Sequence, residues 1–339
     1  MPIKSLHLLG LIVVAAATLQ SQPVNGPVYW SAVPPDCSSL AGESPVAITN
    51  SAGRTIGYSC YVSGTFVWLA AGGGWSSSIR VAAPASAAIG VDYTFYDPSG
   101  NNLKLDTTIG SGNDVNFALS PNQPSEASVL GATSDAPKYA SIATGSVYAV
   151  FYCPDATTCG NVVPQLLYSA LPATPWALSA PIAWDTELWT QWSAEGIDDG
   201  SARRVSLVIY NEDTTATSYT VRVYDSAGAL AGTGTTPSIP ALQPLGNGSL
   251  GEGGTYGALL SDVISTRLPA GVFKVLVDGG SKYSAVEVLQ FNGQSGTALQ
   301  VGYDSAPVPV SRAASAERMN VRRARLASTP KQVFGALEK

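Results

Sequence analysis

Apolar and polar side chains alternate in many short segments of this chain. The clearest is VDYTFY at 91–96, in which valine, tyrosine and phenylalanine occupy every second position, and DPSG follows it at 97–100. A period of two with β-branched and aromatic residues is typical of a β-strand. Asp, Pro and Gly in that order favour a tight turn, because Pro presets φ and Gly accepts a left-handed backbone. The pattern predicts a hairpin that turns at 97–100.

The same pattern occurs a second time, with the strand segment YTVRVY at 219–224 and the turn DSAG at 225–228. Segments on both sides of the two hairpins match in the same order along the chain. The matched segments are SSIRVAAPASAAIG (77–90) with RRVSLVIYNEDTTATS (203–218), GSVYAVFYCP (145–154) with AGVFKVLVDGG (270–280), and VVPQLLYSALP (162–172) with SAVEVLQFNGQ (284–294). An ordered series of matches predicts the internal duplication of a whole domain.

Turn residues bound short strand-like segments throughout, and hardly any stretch has helical periodicity. Many short strands with regularly spaced turns indicate an all-β antiparallel sandwich. We therefore predict two tandem β-sandwich domains related by internal duplication, at 22–172 and 173–305, followed by a short basic tail at 306–339 that is disordered or forms a short helix. Short helical turns are expected near 126–133 and 256–266.

The N-terminus has the pattern of a secretory signal peptide. Lys4 precedes an almost wholly apolar run from Leu8 to Ala17, and a polar stretch follows. About ten apolar residues suit a signal peptide, whereas a bilayer span needs about 20; a buried N-terminal strand is the alternative. We expect residues 1–21 to be a signal peptide and the mature protein to be secreted or extracytoplasmic, in the periplasm or at the cell surface, without a transmembrane segment.

Four cysteines in an exported chain indicate two disulfides, because the compartment beyond the cytoplasmic membrane is oxidising. Three pairings can be drawn. Proximity along the chain favours Cys37 with Cys60 and Cys153 with Cys159. A zinc site is the alternative, but the spacing is not CxxC and no histidine is left to serve as a ligand.

Histidine content and charge restrict the chemistry. The single histidine, His7, lies in the predicted signal peptide, so the mature chain would lack the base of a Ser-His-Asp or Cys-His arrangement. Hydrolysis by paired carboxylates stays open, because glycosidases need only Asp and Glu. Residues 22–305 contain 22 acidic and 10 basic side chains, whereas the tail has 7 basic and 2 acidic ones. An acidic body argues against nucleic acid as a partner.

The second predicted domain resembles a known kind of module. Its stretches RVSLVIYNEDTTATSYTVRVYDSAGAL (204–230) and LLSDVISTRLPAGVFKVLVDGGSKYSAVEVLQFNG (259–293) are similar to uncharacterised extracellular β-sandwich modules, loosely Ig-like, that occur in tandem in exported proteins of soil bacteria. The first domain resembles them at lower fidelity. The resemblance rests on the hairpin turn, an LPAG connection and a closing FNG. It implies a surface or secreted setting and carries over no catalytic residue.

Four of the seven tryptophans lie in the segment 175–192. With a period of two, Trp184 and Trp192 share one face, which is most simply core, and Trp189 shares the opposite face with Glu187 and Gln191. A flat indole flanked by a carboxylate and an amide can hold a sugar ring by stacking and hydrogen bonds. These three residues are the candidate ligand-binding residues; the alternative is that Trp189 packs against the neighbouring domain.

Two acidic loops, AEGIDDGS at 194–201 and YNED at 210–213, offer oxygen ligands to calcium. Neither has the full spacing of a known calcium loop, so solvated loops are the simpler interpretation. We predict no cofactor, with calcium as the alternative. Five arginines between Arg312 and Arg325 could bind anionic lipid or cell-wall polymers, and a solvated extension is the alternative there.

These observations favour a non-catalytic secreted or cell-surface structural or adhesion protein, because that role needs a stable tandem fold and no reactive site. A carbohydrate-binding protein that uses an exposed tryptophan is the alternative, with an extracellular polysaccharide or a cell-surface component as its partner. A carboxylate-based glycoside hydrolase is the second alternative.

Overall fold

The computed structural model describes residues 26–40, 44–72, 75–129, 143–170, 176–185, 189–242, 252–292, 295–299, 302–303 and 331–332. The predicted signal peptide and most of the predicted tail lie outside these residues. Within them the structure is all-β and built from antiparallel sheets, so the predicted fold class is confirmed. No helix in the described part of the chain is long and apolar enough to cross a membrane.

The elements, in chain order, are β1 (Val46–Thr49), β2 (Thr55–Ala71), β3 (Trp75–Ala82), β4 (Ile89–Tyr96), β5 (Leu105–Thr107), β6 (Gly110–Gly112), β7 (Asp114–Leu119), β8 (Pro124–Ser128), β9 (Ala143–Cys153), α1 (Ala156–Gly160), β10 (Gln165–Ala170), β11 (Trp176–Pro181), β12 (Ala183–Trp184), β13 (Gln191–Ile197), β14 (Arg203–Asn211), β15 (Thr220–Tyr224), β16 (Leu230–Thr235), β17 (Thr255–Leu259), α2 (Leu260–Val263), β18 (Val272–Asp278), β19 (Ser284–Asn292), β20 (Ser295–Leu299), β21 (Gly302–Tyr303) and β22 (Lys331–Gln332).

Four larger sheets form two pairs. The N-terminal sheet pair consists of the sheet β22-β1-β2-β9-β4-β7, to which β12 adds beside β2, and the sheet β11-β10-β3-β8. The C-terminal sheet pair consists of β16-β15-β18-β13-β21 and β17-β14-β19-β20. The sequence predicted the first domain to end at residue 172. The strands β11 and β12 follow that residue, yet both pair with strands of the N-terminal sheets.

The two sheet pairs have the same strand order. The neighbours β2, β9, β4 and β7 in the first pair correspond to β13, β18, β15 and β16 in the second, and β11-β10-β3-β8 corresponds to β20-β19-β14-β17. The short strands β12 and β21 also correspond, because each pairs with the first strand of its set. Strand order describes topology and not descent, so the internal duplication stays a prediction.

The two predicted turns have the same local structure. In each, the Asp carboxylate accepts hydrogen bonds from the backbone N–H groups two and four residues later, at 2.8 and 3.0 Å from Asp97 and at 2.9 Å twice from Asp225. Gly100 and Gly228 close the turns with φ of 83° and 80°. These are left-handed values that glycine adopts without steric cost. The turn predicted from Asp, Gly and their spacing is therefore present in both copies.

Each sheet pair encloses its own apolar core. Alternation along β4 and β9 directs one row of side chains inward, including Val91, Phe95 and Phe151, into the N-terminal core. The C-terminal core is formed in the same way by residues such as Val205, Val223 and Val275. These rows are the apolar half of the period-two pattern, so burial of that half explains why these segments are strands.

An N-terminal arm, residues 26–40, covers the outer face of the larger N-terminal sheet. The Tyr29 ring is fully buried and lies over Gly90, where a Cβ would come within 2.8 Å of it. Trp30 lies over Gly57 in the same way, with 1.9 Å to its ring. The disulfide between Cys37 and Cys60 fixes the end of the arm to β2. Glycine is needed under both rings, because any side chain would push the arm off the sheet.

The two sheet pairs contact each other along a seam between β2 and the outer face of β14 and β19. Apolar side chains fill it, with Val67, Val208, Tyr210 and Ala285 forming one buried cluster. At one end, the N–H of Thr255 donates to the carbonyl of Pro98 at 2.9 Å, which ties the first turn to the second sheet pair. The sheet pairs are therefore packed together and not separated by a flexible spacer.

Two sequence predictions need local correction. Glu126 lies in β8 instead of a helical turn, because it pairs with Arg80 of β3 and its carboxylate binds that guanidinium at 2.9 Å. The helix expected at 256–266 is limited to α2, since the residues before it pair with β14. In the predicted tail, the two described residues form β22, parallel to β1, and the prediction for the rest of the tail stays a prediction. An exposed strand edge offers unpaired backbone groups that such a segment can satisfy.

Candidate functional site

The predicted sugar-binding residues are only partly within the described chain. Trp189 is half-buried and packs against the C-terminal core, and its backbone carbonyl accepts a hydrogen bond from the N–H of Ser284 at 3.0 Å. Gln191 begins β13, half-buried. The side chain of Gln191 hydrogen-bonds to the Asp278 carboxylate. Burial alone would raise the pKa of Asp278, but this bond and those from Gly280 and Arg222 together lower it. Glu187 lies outside the described residues, so the proposed trio stays a prediction.

The two tryptophans predicted to share a face enter different cores. Trp192 is 7% exposed, lies in the C-terminal core, and donates its Nε1–H to the Ser284 carbonyl at 2.9 Å. Trp184 packs against the N-terminal core, with its ring centroid 6.2 Å from that of Phe151. The prediction of one continuous face was wrong, because β12 ends at Trp184 and the next strand of this region begins at Gln191.

A cleft of about 510 Å³ lies beside Trp184, and we call it the Trp184 cleft. The arm, β2, α1 and the segment after it, and β12 all contribute to its walls. Its lining residues are Ser39, Leu40, Tyr61, Val62, Ser63, Cys159, Gly160, Val162, Val163, Pro164, Ile182, Trp184 and Asp185. The volume falls within the range of about 300–1,000 Å³ that is usual for small-molecule sites.

Asp185 is the acidic group of this cleft. It is 7% exposed, and its Oδ2 accepts hydrogen bonds from the Ser63 hydroxyl at 2.6 Å and from the Tyr148 hydroxyl at 3.1 Å. Its N–H also donates to the Ser63 carbonyl at 3.0 Å. These bonds depend on the close approach of β12 to β2, where a Cβ on Gly64 would lie 2.5 Å from the carbonyl oxygen of Ala183. Glycine at position 64 therefore sets the position of Trp184 and Asp185.

Both predicted disulfides are present, and they brace the cleft. Cys37 is bonded to Cys60, and Cys153 is bonded to Cys159. Cys60 and Cys153 are direct partners in the pairing of β2 with β9, so the two disulfides are neighbours. The second one fixes α1, whose first turn is capped by the Asp155 carboxylate accepting from the N–H of Thr158 at 2.8 Å. The wall formed by α1 is thus held covalently.

A second pocket, of about 250 Å³, lies at the seam, and we call it the seam pocket. Four aromatic residues from both sheet pairs line it, namely Trp68, Trp75, Tyr168 and Phe291. The rings of Trp75 and Phe291 meet edge to face with centroids 5.8 Å apart. A Cβ on Gly257 would lie 2.8 Å from the Trp68 ring, so the absence of a side chain there makes room for that ring.

A buried glutamate contacts Tyr168, one of the residues that line the seam pocket. Glu287 is 6% exposed, and its Oε2 lies 3.1 Å from the Tyr168 hydroxyl oxygen. That hydroxyl also lies 2.6 Å from the carbonyl oxygen of Trp68. Burial raises the pKa of Glu287 to about 8, despite the opposing effect of the hydrogen bond with Tyr168. Oε1 of Glu287 has no hydrogen-bond partner among the described residues.

The acidic loops use their carboxylates to hold their own turns. Asp198 accepts from the N–H groups of Gly200 and Val205, and Asp199 accepts from the N–H groups of Ser201 and Arg203. Hydrogen bonds from Arg203 and Ser201 lower the pKa of Asp199. In the part of the chain that the structure describes, no group of three or more Asp, Glu, Cys or His side chains is placed to hold a metal ion. The calcium hypothesis stays without a described ligand set.

Sequence reasoning missed both pockets, for the same physical reason. Trp184 and Glu287 become part of a site only when segments distant in sequence pack against their strands, and the period-two pattern is silent on that packing. Comparison with protein-family models, with curated proteins and with solved structures found no match to this chain, so its functional interpretation depends on the geometry described above.

Proposed function

We propose that this protein is a non-catalytic, extracytoplasmic glycan-binding protein that holds a sugar residue in the Trp184 cleft. The observation that carries the proposal is a half-buried indole adjoining a buried carboxylate whose position is fixed by Ser63 and Tyr148. Sugars have apolar ring faces that stack on indoles and hydroxyls that donate to carboxylates. The Ser63 hydroxyl, whose proton goes to Asp185, keeps lone pairs that can accept from a sugar hydroxyl.

The cleft supports binding better than hydrolysis. A glycosidase of the usual kind needs two carboxyl groups, about 5–5.5 Å apart in retaining enzymes and about 6.5–9.5 Å apart in inverting ones. Asp185 is the single carboxylate among the described residues that line the cleft. The proposed extracytoplasmic setting depends on export. The two disulfides support export, because disulfides persist in oxidising compartments.

A glycan array with single-residue variants tests the proposal. The mature chain should bind one class of glycan, and Trp184→Ala should abolish retention because it removes the stacking surface. Asp185→Asn should weaken binding while keeping the size of the side chain. Trp189→Ala is the matched control, since that ring packs on the other core. The melting temperature of each variant separates lost binding from lost folding.

Two results would overturn the proposal. One is a folded parent that binds nothing on the array. The other is a parent whose binding is lost with Trp189→Ala and kept with Trp184→Ala, which would assign the sugar to the trio of Trp189, Glu187 and Gln191 instead.

A structural or adhesive role is the second candidate, and a different observation favours it. The arm is bonded to β2 by a disulfide and the sheet pairs share a buried seam, so the described parts pack into one continuous body. Such a body suits a surface protein that bears load. Force spectroscopy on the parent should then show one high-force unfolding event; two separate low-force events would contradict this role.

A further inference from the structure

We propose that the seam pocket is a binding site for a small organic cation of the quaternary ammonium class. The proposal is independent of the Trp184 cleft, because the lining residues of the two pockets do not overlap. It combines three observations: aromatic rings on several sides, a buried carboxyl group next to them, and a restricted volume.

The aromatic lining provides the main attraction. Trp68, Trp75 and Phe291 are half-buried, so parts of their surfaces face the pocket and solvent, and Tyr168 closes the inner side with 1% exposure. The faces of aromatic rings carry partial negative charge and attract cations, and tryptophan does so most strongly. Alkylated ammonium groups suit such a site, because they have low hydration and no N–H that must find an acceptor.

Alternation along β19 places Glu287 on the pocket side. Leu289 and Phe291 line the pocket, and Glu287 precedes them at the same period-two position. Its cross-strand partner Val208 also lines the pocket, and so does its hydrogen-bond partner Tyr168. The carboxyl group therefore lies beside the pocket and not in the C-terminal core.

The protonation state of Glu287 should change when a cation binds. Tyr168 has one hydroxyl proton, and the nearer acceptor is the Trp68 carbonyl at 2.6 Å. The same hydroxyl is also placed to donate to Oε2 of Glu287 at 3.1 Å, so two acceptors share one proton and the support that this bond gives to an ionised carboxylate is small. Burial therefore dominates and raises the pKa of Glu287 to about 8, so the carboxyl group is mostly protonated at pH 7. A cation in the pocket favours the carboxylate, so binding would release a proton to solvent.

Few other charges face Glu287. The strand β10 presents Tyr168, β2 presents the Trp68 carbonyl, and β14 presents Val208. On this face of β14 the other titratable side chains are Tyr210, which hydrogen-bonds Glu252, and Arg204, the cross-strand partner of Phe291, whose guanidinium pairs with Asp198 at 3.6 Å. No lysine or arginine is among the described residues that line the pocket. A cationic ligand thus meets no lysine or arginine in the described lining, and the charge of Arg204 beside it is paired with Asp198.

The volume limits the ligand to a small molecule. About 250 Å³ lies below the usual range of about 300–1,000 Å³ for drug-sized ligands. Choline, glycine betaine and tetramethylammonium have few heavy atoms and carry the required group. A phosphocholine lipid headgroup presents the same chemistry.

Isothermal titration with choline and with its neutral isostere 3,3-dimethyl-1-butanol tests the proposal. Choline should bind the mature chain, and the isostere should bind at least about tenfold more weakly, because only the charge differs. Titration at pH 7 in two buffers of different ionisation enthalpy should show release of up to one proton per choline. Phosphatidylcholine vesicles in a cosedimentation assay distinguish the sources: binding to both identifies a headgroup site, and binding to choline alone identifies a soluble solute.

Variants complete the test. Trp75→Ala should weaken choline binding about tenfold, and Glu287→Gln should abolish the proton release while the fold is kept. Leu230→Ala is the control, because Leu230 is 57% exposed and lines neither pocket, and it should leave choline binding unchanged. The proposal is overturned if the folded parent does not bind choline, if the neutral isostere binds equally well, or if Trp75→Ala has no effect.

Discussion

At the scale of single residues, the burial of Glu287 should make the stability of the fold depend on pH. In the unfolded chain a glutamate ionises near its ordinary pKa of 4.5, whereas in the folded protein burial raises the pKa to about 8. Between these values the unfolded state has lost a proton that the folded state keeps. The contribution of Glu287 to the free energy of unfolding should therefore be largest below pH 4.5 and should fall as pH rises to about 8, by up to about 1.4 kcal/mol per pH unit.

Urea denaturation at pH 5, 6, 7 and 8 measures this slope, and Glu287→Gln is the control. The variant cannot ionise, so its unfolding free energy should depend less on pH than that of the parent, and the two should differ most at pH 8. Equal slopes in both proteins would show that Glu287 does not titrate in this range.

At the scale of elements, the two matched turns differ in what surrounds them. A Cβ on Gly100 would lie 2.2 Å from the backbone carbonyl oxygen of Glu252 in the C-terminal sheet pair, whereas a Cβ on Gly228 would meet open space. Both glycines have left-handed φ, so alanine costs about 1–2 kcal/mol of strain at either position. Gly100→Ala should cost more, because the turn must also move away from the second sheet pair.

Chemical denaturation of the two variants checks this prediction directly. Gly228→Ala should lower the unfolding free energy by the strain alone, and Gly100→Ala should lower it further. Because the turns share the same hydrogen bonds, the difference between the variants reports the contact across the seam. Equal losses would mean that the contact with Glu252 contributes nothing.

The local elements could be predicted from the sequence, and the contacts between them could not. The strands at 91–96 and 219–224 and their turns follow from alternation and from Asp and Gly, which act within a few residues. Glu287 is the single charged residue of β19, and a charged side chain predicts exposure to solvent, but the packing of β2 over this face of the strand buries it. The helix α1 was missed because five residues are too few for a helical period, and Asp155 was its only cap signal.

At the scale of the whole molecule, the seam should make the two sheet pairs unfold together. Val208 is 1% exposed and lies in the seam cluster, so Val208→Asp would bury a charge without a partner and should destabilise the protein by several kcal/mol. Val272→Asp is the matched control, because Val272 is 48% exposed.

Differential scanning calorimetry distinguishes the outcomes. The parent should show one transition, Val208→Asp should shift that whole transition to lower temperature, and Val272→Asp should leave it nearly unchanged. Two transitions in the parent, with only one of them moved by Val208→Asp, would show that the sheet pairs unfold independently despite their contact.

The N-terminal arm also has a consequence for the order of assembly. The ribosome makes residues 26–40 before any strand of this sheet, yet the sheet face that they cover includes Tyr148 and Tyr152 of β9, which are made much later. The Tyr29 and Trp30 rings of the arm therefore stay exposed until β9 is inserted between β2 and β4. Cys60 follows Cys37 by 23 residues, so their disulfide can form as soon as both reach an oxidising compartment and can hold the arm beside β2 until β9 is in place. A covalent tether that forms early would then direct the last step of sheet closure.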